Sequence, residues 1–221
     1  MVIVHESSRN SAGADTMAVD AWVKCHQTGR VSFTESQEQI LEATMQVIVR
    51  DGLDAASMRA VAEEADVSLG LLSYHFDAKE NLIVSAFKLG ADRLIEFTAE
   101  QIEAAGPDPT DRARAAVRSF FDAEFVSSEY LALWFAIWGV SRTNHEVAEL
   151  ERSLHDRYNE IIGATIQAAD PDLPAAQVSE RITDLAALQN GLWLNWTRFE
   201  DRDALERGLA RCEAIALGTA P

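Results

Sequence analysis

The segment that most constrains the fold is Ser57–Phe76, SMRAVAEEADVSLGLLSYHF, because it holds two helix starts and a forced turn. Ser57 is a good N-cap: its hydroxyl can accept from a backbone N–H that a helix start leaves orphaned. The helix formers Ala60 and Ala62 follow, on either side of Val61. The capping box is incomplete, since Ala60 stands where Glu or Gln would return the hydrogen bond. A second start signal comes at Ser68, after Ala65-Asp66-Val67, where the polarity pattern breaks and restarts. Val61, Val67 and Leu72 are spaced so that one helix, a turn and a second helix share a small apolar core. That is the plan of a helix-turn-helix, whose second helix lies in the major groove of duplex DNA.

The rest of the chain has helical period throughout, which makes the expected fold class all-α. A first helix begins at Thr34, with Ile40, Leu41, Met45, Ile48 and Val49 on one stripe, and Gly52 stands where a C-cap is expected. A long helix is predicted from Ala78 to about Ala105, ended by Gly106-Pro107-Asp108-Pro109. Further helices are predicted over Arg112–Val126, Glu129–Val140, His145–Ala168, Val178–Phe199 and Ala204–Leu217. The second of these, EYLALWFAIWGV, is apolar nearly all round, as a central buried helix should be. The domain reading is a flexible arm over 1–31, a helix-turn-helix domain over 32–80 and a helical module over 81–217.

Residues 34–82 resemble the DNA-binding domain of the TetR family of transcriptional regulators. The matching residues are Asp51-Gly52-Leu53, Ser57-Met58-Arg59-Ala60-Val61-Ala62, Val67-Ser68-Leu69-Gly70, Tyr74-His75-Phe76 and Lys79-Glu80-Asn81-Leu82. Two positions depart from the family pattern: Asp66 replaces the usual turn Gly, and Ser73 replaces an aromatic. Asp tolerates a left-handed turn better than most residues, so the fold survives the first change. The second alters what the helix presents to bases. The resemblance implies that Ser68, Leu69, Gly70 and Leu71 approach base edges. A side chain at position 70 would block close backbone approach to DNA. Ser73, Tyr74 and His75 offer hydroxyls and an imidazole to bases or phosphates, with His75 equally suited to a structural hydrogen bond. Phe76 is expected in the core. Ser57, Arg59 and Lys79 are placed as phosphate contacts.

The C-terminal half resembles the BetI-type branch of that family through Tyr130–Trp138, Glu149–Tyr158 and Asn190-Gly191-Leu192-Trp193-Leu194, and Ser73 fits the branch too. The resemblance implies a homodimer joined through the last two helices, a double-stranded DNA operator, and a small-molecule effector. The helices carry stripes through Ile182, Leu185, Leu188 and Leu192 and through Leu205, Leu209, Cys212 and Ile215, with Ala186, Ala187 and Gly191 allowing close packing. A dimer is also needed physically, since one short helix reads too few base pairs for specificity.

Charge complicates this reading. The chain has a formal net charge of −17, and residues 31–80 hold three bases (Arg50, Arg59, Lys79) against ten acids. Phosphates meet only the docking face, so net charge decides little about it. Few bases nevertheless means few counterions released on binding and weak non-specific affinity. No apolar run reaches the roughly 18 residues needed to cross a bilayer, and the N-terminus lacks a signal-peptide pattern. Cys25 and Cys212 have no metal-ligand spacing around them, so a reducing, cytoplasmic setting without metal or cofactor is expected.

Four of the five tryptophans fall in two pairs, Trp134/Trp138 and Trp193/Trp196, at spacings that share a helix face. They are either packing residues or walls of a ligand pocket, with Phe121, Glu124, Tyr158, Gln189 and Asn190 as candidate additions. A carboxylate beside indoles favours a cation, by about 0.5–2 kcal/mol per contact, which points to a choline-like or polyamine effector. No phosphate-binding glycine loop, zinc spacing or nucleophile elbow supports an enzyme. The alternative is an all-helical adaptor that binds protein in place of DNA.

Overall fold

The computed structural model describes residues 33–219, which leaves the expected N-terminal arm over 1–31, with Cys25, outside the described residues. Nine α-helices are present among the described residues: α1 Glu35–Asp51, α2 Met58–Glu64, α3 Leu69–His75, α4 Lys79–Ala104, α5 Pro109–Ser119, α6 Ser128–Val140, α7 His145–Ala169, α8 Ala175–Phe199 and α9 Arg202–Leu217. A 3₁₀ turn, Leu53–Ala55, links α1 to α2. The described residues divide into two compact units, one of residues 33–95 and 123–156, the other of 96–122 and 157–219. Helices α4 and α7 each contribute a part to both.

In the first unit, local hydrogen bonds set every boundary around α2 and α3. Thr34 caps α1 in a full capping box: its hydroxyl accepts from the Gln37 N–H, and Gln37 Oε1 accepts from the Thr34 N–H. Ser57 Oγ accepts from the Ala60 N–H at 3.2 Å, and Ser68 Oγ from the Leu71 N–H at 3.1 Å. Between them, Asp66 sits at φ +53°. The Asp66 N–H bonds to Glu63 O and the Val67 N–H to Ala62 O, so the turn is a Schellman motif built on Asp in place of Gly. Val61, Ala62, Ala65, Leu72 and Phe76 are buried, as are Ile40, Leu41, Val47 and Ile48 of α1. Gln39 Nε2 donates to Ala65 O at 2.8 Å, tying α1 to the end of α2. Helix α6 places Leu131, Leu133, Trp134 and Ile137 in the core of this unit, close to α1 and α4.

In the second unit, α8 and α9 form a hairpin. Glu200 ends α8 at φ +47°, and Asp201 caps α9 by accepting from the Ala204 N–H. A Cβ on Gly208 would lie 2.2 Å from Leu192 Cδ2, so the two helices approach closely here and a larger residue would force the Leu192 side chain to move. Across α9 from α5, Arg118 donates to Glu213 at 2.5 Å and to Glu206 at 3.1 Å. Burial works to lower the Arg118 pKa, but its hydrogen bonds to Glu213 and Glu206 outweigh this and raise it.

One predicted helix is corrected. The periodic stretch over 112–126 is helical only to Ser119, and 120–127 is a succession of turns. Neither Gly nor Pro marks the stop. The final carbonyls of α5 find other partners: the Ser119 hydroxyl donates to Ala116 O, Gln189 Nε2 donates to Val117 O, and Trp193 Nε1 donates to Phe120 O. Side chains from a distant helix thus satisfy backbone groups that a continued helix would have used. The other helix predictions hold to within a few residues at their ends.

Candidate DNA-binding helix and aromatic clusters

Helix α3 is seven residues long and buries a single one of them, Leu72, with Phe76 just beyond its end. Gly70 and Tyr74, four residues apart, lie on the opposite side, flanked by Leu69, Leu71 and Ser73. Leu69 is 43% exposed, Leu71 39% and Tyr74 80%. Ser68 and Ser73 are exposed, and His75 is half-buried with its ring edge-on to Tyr74 at 5.2 Å. Large apolar side chains are rarely left out of a fold in such a group without a partner surface. Gly70 has no internal reason to be glycine: its φ is not positive, and an added Cβ would meet only Ser68 Oγ at 3.9 Å.

The bases near this helix are few and partly committed. Arg50 bonds to Asp51 at 2.9 Å and Glu64 at 2.6 Å, and these acids raise its pKa further. Lys79, at the start of α4, donates to Asp54 O at 3.0 Å, which holds its ammonium beside the 3₁₀ turn. Arg59 is exposed on α2, as is the Ser57 cap.

The expected effector residues divide between the two units. In the second, Phe121, Tyr158, Gln189 and Trp193 come together with Phe120. The Tyr158 hydroxyl donates to Gln189 Oε1 at 2.5 Å, Phe120 stands edge-on to Tyr158 at 5.2 Å, and Phe121 lies 6.2 Å from Trp193. Burial pushes the Tyr158 phenol pKa up, with a smaller contribution from Cys212. Asn190 is exposed and Trp196 half-buried on the same helix. With Gln189 and Trp193 bonded to the end of α5, this group ties helix ends together.

In the first unit, Trp134 and Trp138 do share a face of α6, their rings 6.5 Å apart. Tyr130 extends the row to a ladder, 6.2 Å from Trp134 and edge-on to Phe125 at 5.0 Å. Glu124 is exposed in the turn before α6. Burial raises the Tyr130 phenol pKa, a hydrogen bond with Trp134 opposes this, and the Glu124 charge adds to the rise, so that carboxylate lies within electrostatic reach of the ladder. Tyr130 and Phe120 join these two aromatic groups beside the residues expected from the sequence. Tyr130 was legible, standing four residues before Trp134; the role of the Phe120 carbonyl was not, because it depends on Trp193.

Among the described residues no helix is long and apolar enough to cross a membrane, and no group of His, Cys, Asp and Glu could hold a metal ion. Residues 40–86 match the family model for bacterial regulatory proteins of the tetR family, and residues 109–219 the model for the C-terminal domain of BetI-type transcriptional repressors. The HTH-type transcriptional regulator BetI of Paraburkholderia phytofirmans is 31% identical over 156 residues, covering 71% of this chain and 78% of that protein. Among solved structures, a proposed transcriptional regulator from Pseudomonas aeruginosa superimposes with a TM-score of 0.74 at 24% identity, covering 82% of this chain and 88% of its own. A proposed regulator from Saccharomonospora viridis, solved in complex with choline, gives a TM-score of 0.70 at 19% identity, over 82% of this chain and 95% of its own. The chain therefore belongs to the TetR family, with a BetI-type C-terminal domain, and is a DNA-binding transcriptional regulator and not an enzyme.

Proposed function

We propose that this regulator is a ligand-released repressor: two copies, joined through α8 and α9, present α3 to a palindromic operator, and a small organic cation lowers their affinity for it. The observation that carries the DNA half is the outward row Leu69, Gly70, Leu71, Ser73 and Tyr74 on a helix that buries only Leu72. Leu194 and Phe199 of α8, 49% and 62% exposed, support the dimer face. The Arg198 guanidinium lies over the Phe199 ring, 4.8 Å from its centroid.

For the effector, the reading rests on the Tyr130–Trp134–Trp138 ladder with Glu124 at its end. Indole and phenol faces attract a quaternary ammonium by about 0.5–2 kcal/mol each, and a carboxylate within reach adds charge complementarity. The choline bound by the Saccharomonospora viridis protein of the same fold supports this chemistry. Release then follows from population shift: the cation must bind best to the arrangement whose two α3 helices no longer match successive major grooves.

The test combines light scattering of the full chain, fluorescence anisotropy with duplexes from its own promoter, and titration with choline and spermidine. A dimer that binds one promoter duplex and lets go as choline or spermidine quenches tryptophan emission is expected. A monomer that ignores its promoter at low salt sinks the repressor reading. Unchanged tryptophan emission with both cations sinks the effector reading alone.

A further inference from the structure

The outward face of α3 also limits which bases it can read. From Ser68 to His75 there is no Arg, Lys, Asn or Gln, the side chains that bond bidentately to guanine or adenine in the major groove. Beside the hydroxyls of Ser73 and Tyr74, the face presents two part-exposed leucines, Leu69 and Leu71, on either side of Gly70. The Ser68 hydroxyl, which accepts from the Leu71 N–H, is engaged as a cap. In the major groove only one base edge carries an apolar group, the C5-methyl of thymine. Gly70 lets the backbone sit low between the leucines, since an added methyl there would stand out from the helix with only Ser68 Oγ near it, at 3.9 Å.

We propose that Leu69 and Leu71 determine specificity by packing against thymine methyl groups, so that each operator half-site carries thymines where α3 enters. This rests on the reading that α3 lies in the major groove, and it specifies what the helix recognises there. Arginine-type readout of guanine by α3 is excluded by composition. The apolar part of sequence preference therefore comes from contacts that a single methyl group can make or remove, beside any polar contact from Ser73, Tyr74 or His75. Burying a leucine side chain against a methyl removes apolar surface on both partners, at about 0.8 kcal/mol per carbon, a factor of about four in affinity.

The experiment selects binding duplexes from a randomised pool with the full-length dimer, then resynthesises the winner with deoxyuridine in place of thymidine in the half-sites. Deoxyuridine keeps every hydrogen-bonding group and the backbone and loses only the methyl. Expected is a loss of about fourfold per contacted thymine, which disappears in the Leu69→Ala, Leu71→Ala double variant, both positions being exposed on a helix that tolerates Ala. The proposal is overturned if the selected half-sites lack thymines at the α3 positions, or if deoxyuridine leaves affinity within about a factor of two of the thymidine duplex. It is also overturned if the double variant loses affinity while keeping the full methyl effect. Each of these leaves α3 as the DNA-binding helix. Failure to enrich any duplex would remove that reading as well.

Discussion

Replacing Gly70 by alanine should make the protein more stable and a worse DNA binder, a combination that a purely structural glycine cannot produce. Gly70 is the second residue of α3, its φ is not in the left-handed region, and the added Cβ would meet nothing closer than Ser68 Oγ at 3.9 Å. The methyl therefore enters without a clash, and it removes backbone freedom from the unfolded chain. Gly to Ala in a helix gains about 0.5–1 kcal/mol, with the lower end fitting a position in the first turn. For a chain of this length that corresponds to a rise in melting temperature of about 1–4 °C. On DNA the same methyl stands at the centre of the outward face, where the backbone comes nearest the bases. Holding the helix off by that one group weakens the contacts of Leu69, Leu71 and Tyr74 together, and we expect at least about a tenfold loss, or about 1.4 kcal/mol. Thermal melts and anisotropy titrations on one preparation measure both quantities. Lower stability would mean that the glycine serves the fold. Unchanged affinity would mean that the backbone does not approach DNA at this point.

Three other outcomes follow from the geometry. Trp193→Phe keeps an aromatic ring but removes the donor to Phe120 O, leaving a buried carbonyl unmatched; urea denaturation should show a loss of about 1–3 kcal/mol, and no loss would deny that bond a role in ending α5. Operator affinity should fall gently with salt, since Arg59 and Lys79 of two copies give about four phosphate contacts and a log–log slope near −4; a slope steeper than about −8 would point to cations outside this set. Stability should decline in alkali. Burial pushes the Cys212 thiol up to about 12 and raises Tyr130 and Tyr158 as well, so all three stay protonated in the fold while the unfolded chain releases its protons. Their contribution is complete below about pH 7.5, before the unfolded thiol with its midpoint near 8.5 begins to titrate, and is lost as pH rises towards the folded values. Cys212→Ala should flatten that decline by up to about 1.4 kcal/mol per pH unit, a difference visible in urea midpoints taken across the range.

The DNA-binding head was legible in the sequence because its decisive interactions are short. Thr34 to Gln37, Ser57 to Ala60 and Ser68 to Leu71 each span three residues, so a residue type at one position announces a hydrogen bond at the next turn. Asp66 belongs to the same class: its tolerance of positive φ is a property of its own side chain, and it allowed the turn to be placed without glycine. The long helices of the C-terminal half were readable from period alone, and Trp134 and Trp138 share a face because helical spacing requires it.

Tertiary structure decided what no local pattern contains. Helix α5 stops at Ser119 although Phe120, Phe121 and Phe125 continue its apolar rhythm, because Gln189 and Trp193, about seventy residues away along the chain, take the carbonyls of Val117 and Phe120. Which tryptophan binds a backbone oxygen and which stacks in a ladder with Tyr130 is set by the helix that arrives opposite, not by the residue itself. Hydrophobic period says that a side chain seeks cover. Only the assembled fold shows that Leu72 finds it inside while Leu69 and Leu71, on the same turn and a half of helix, remain outside.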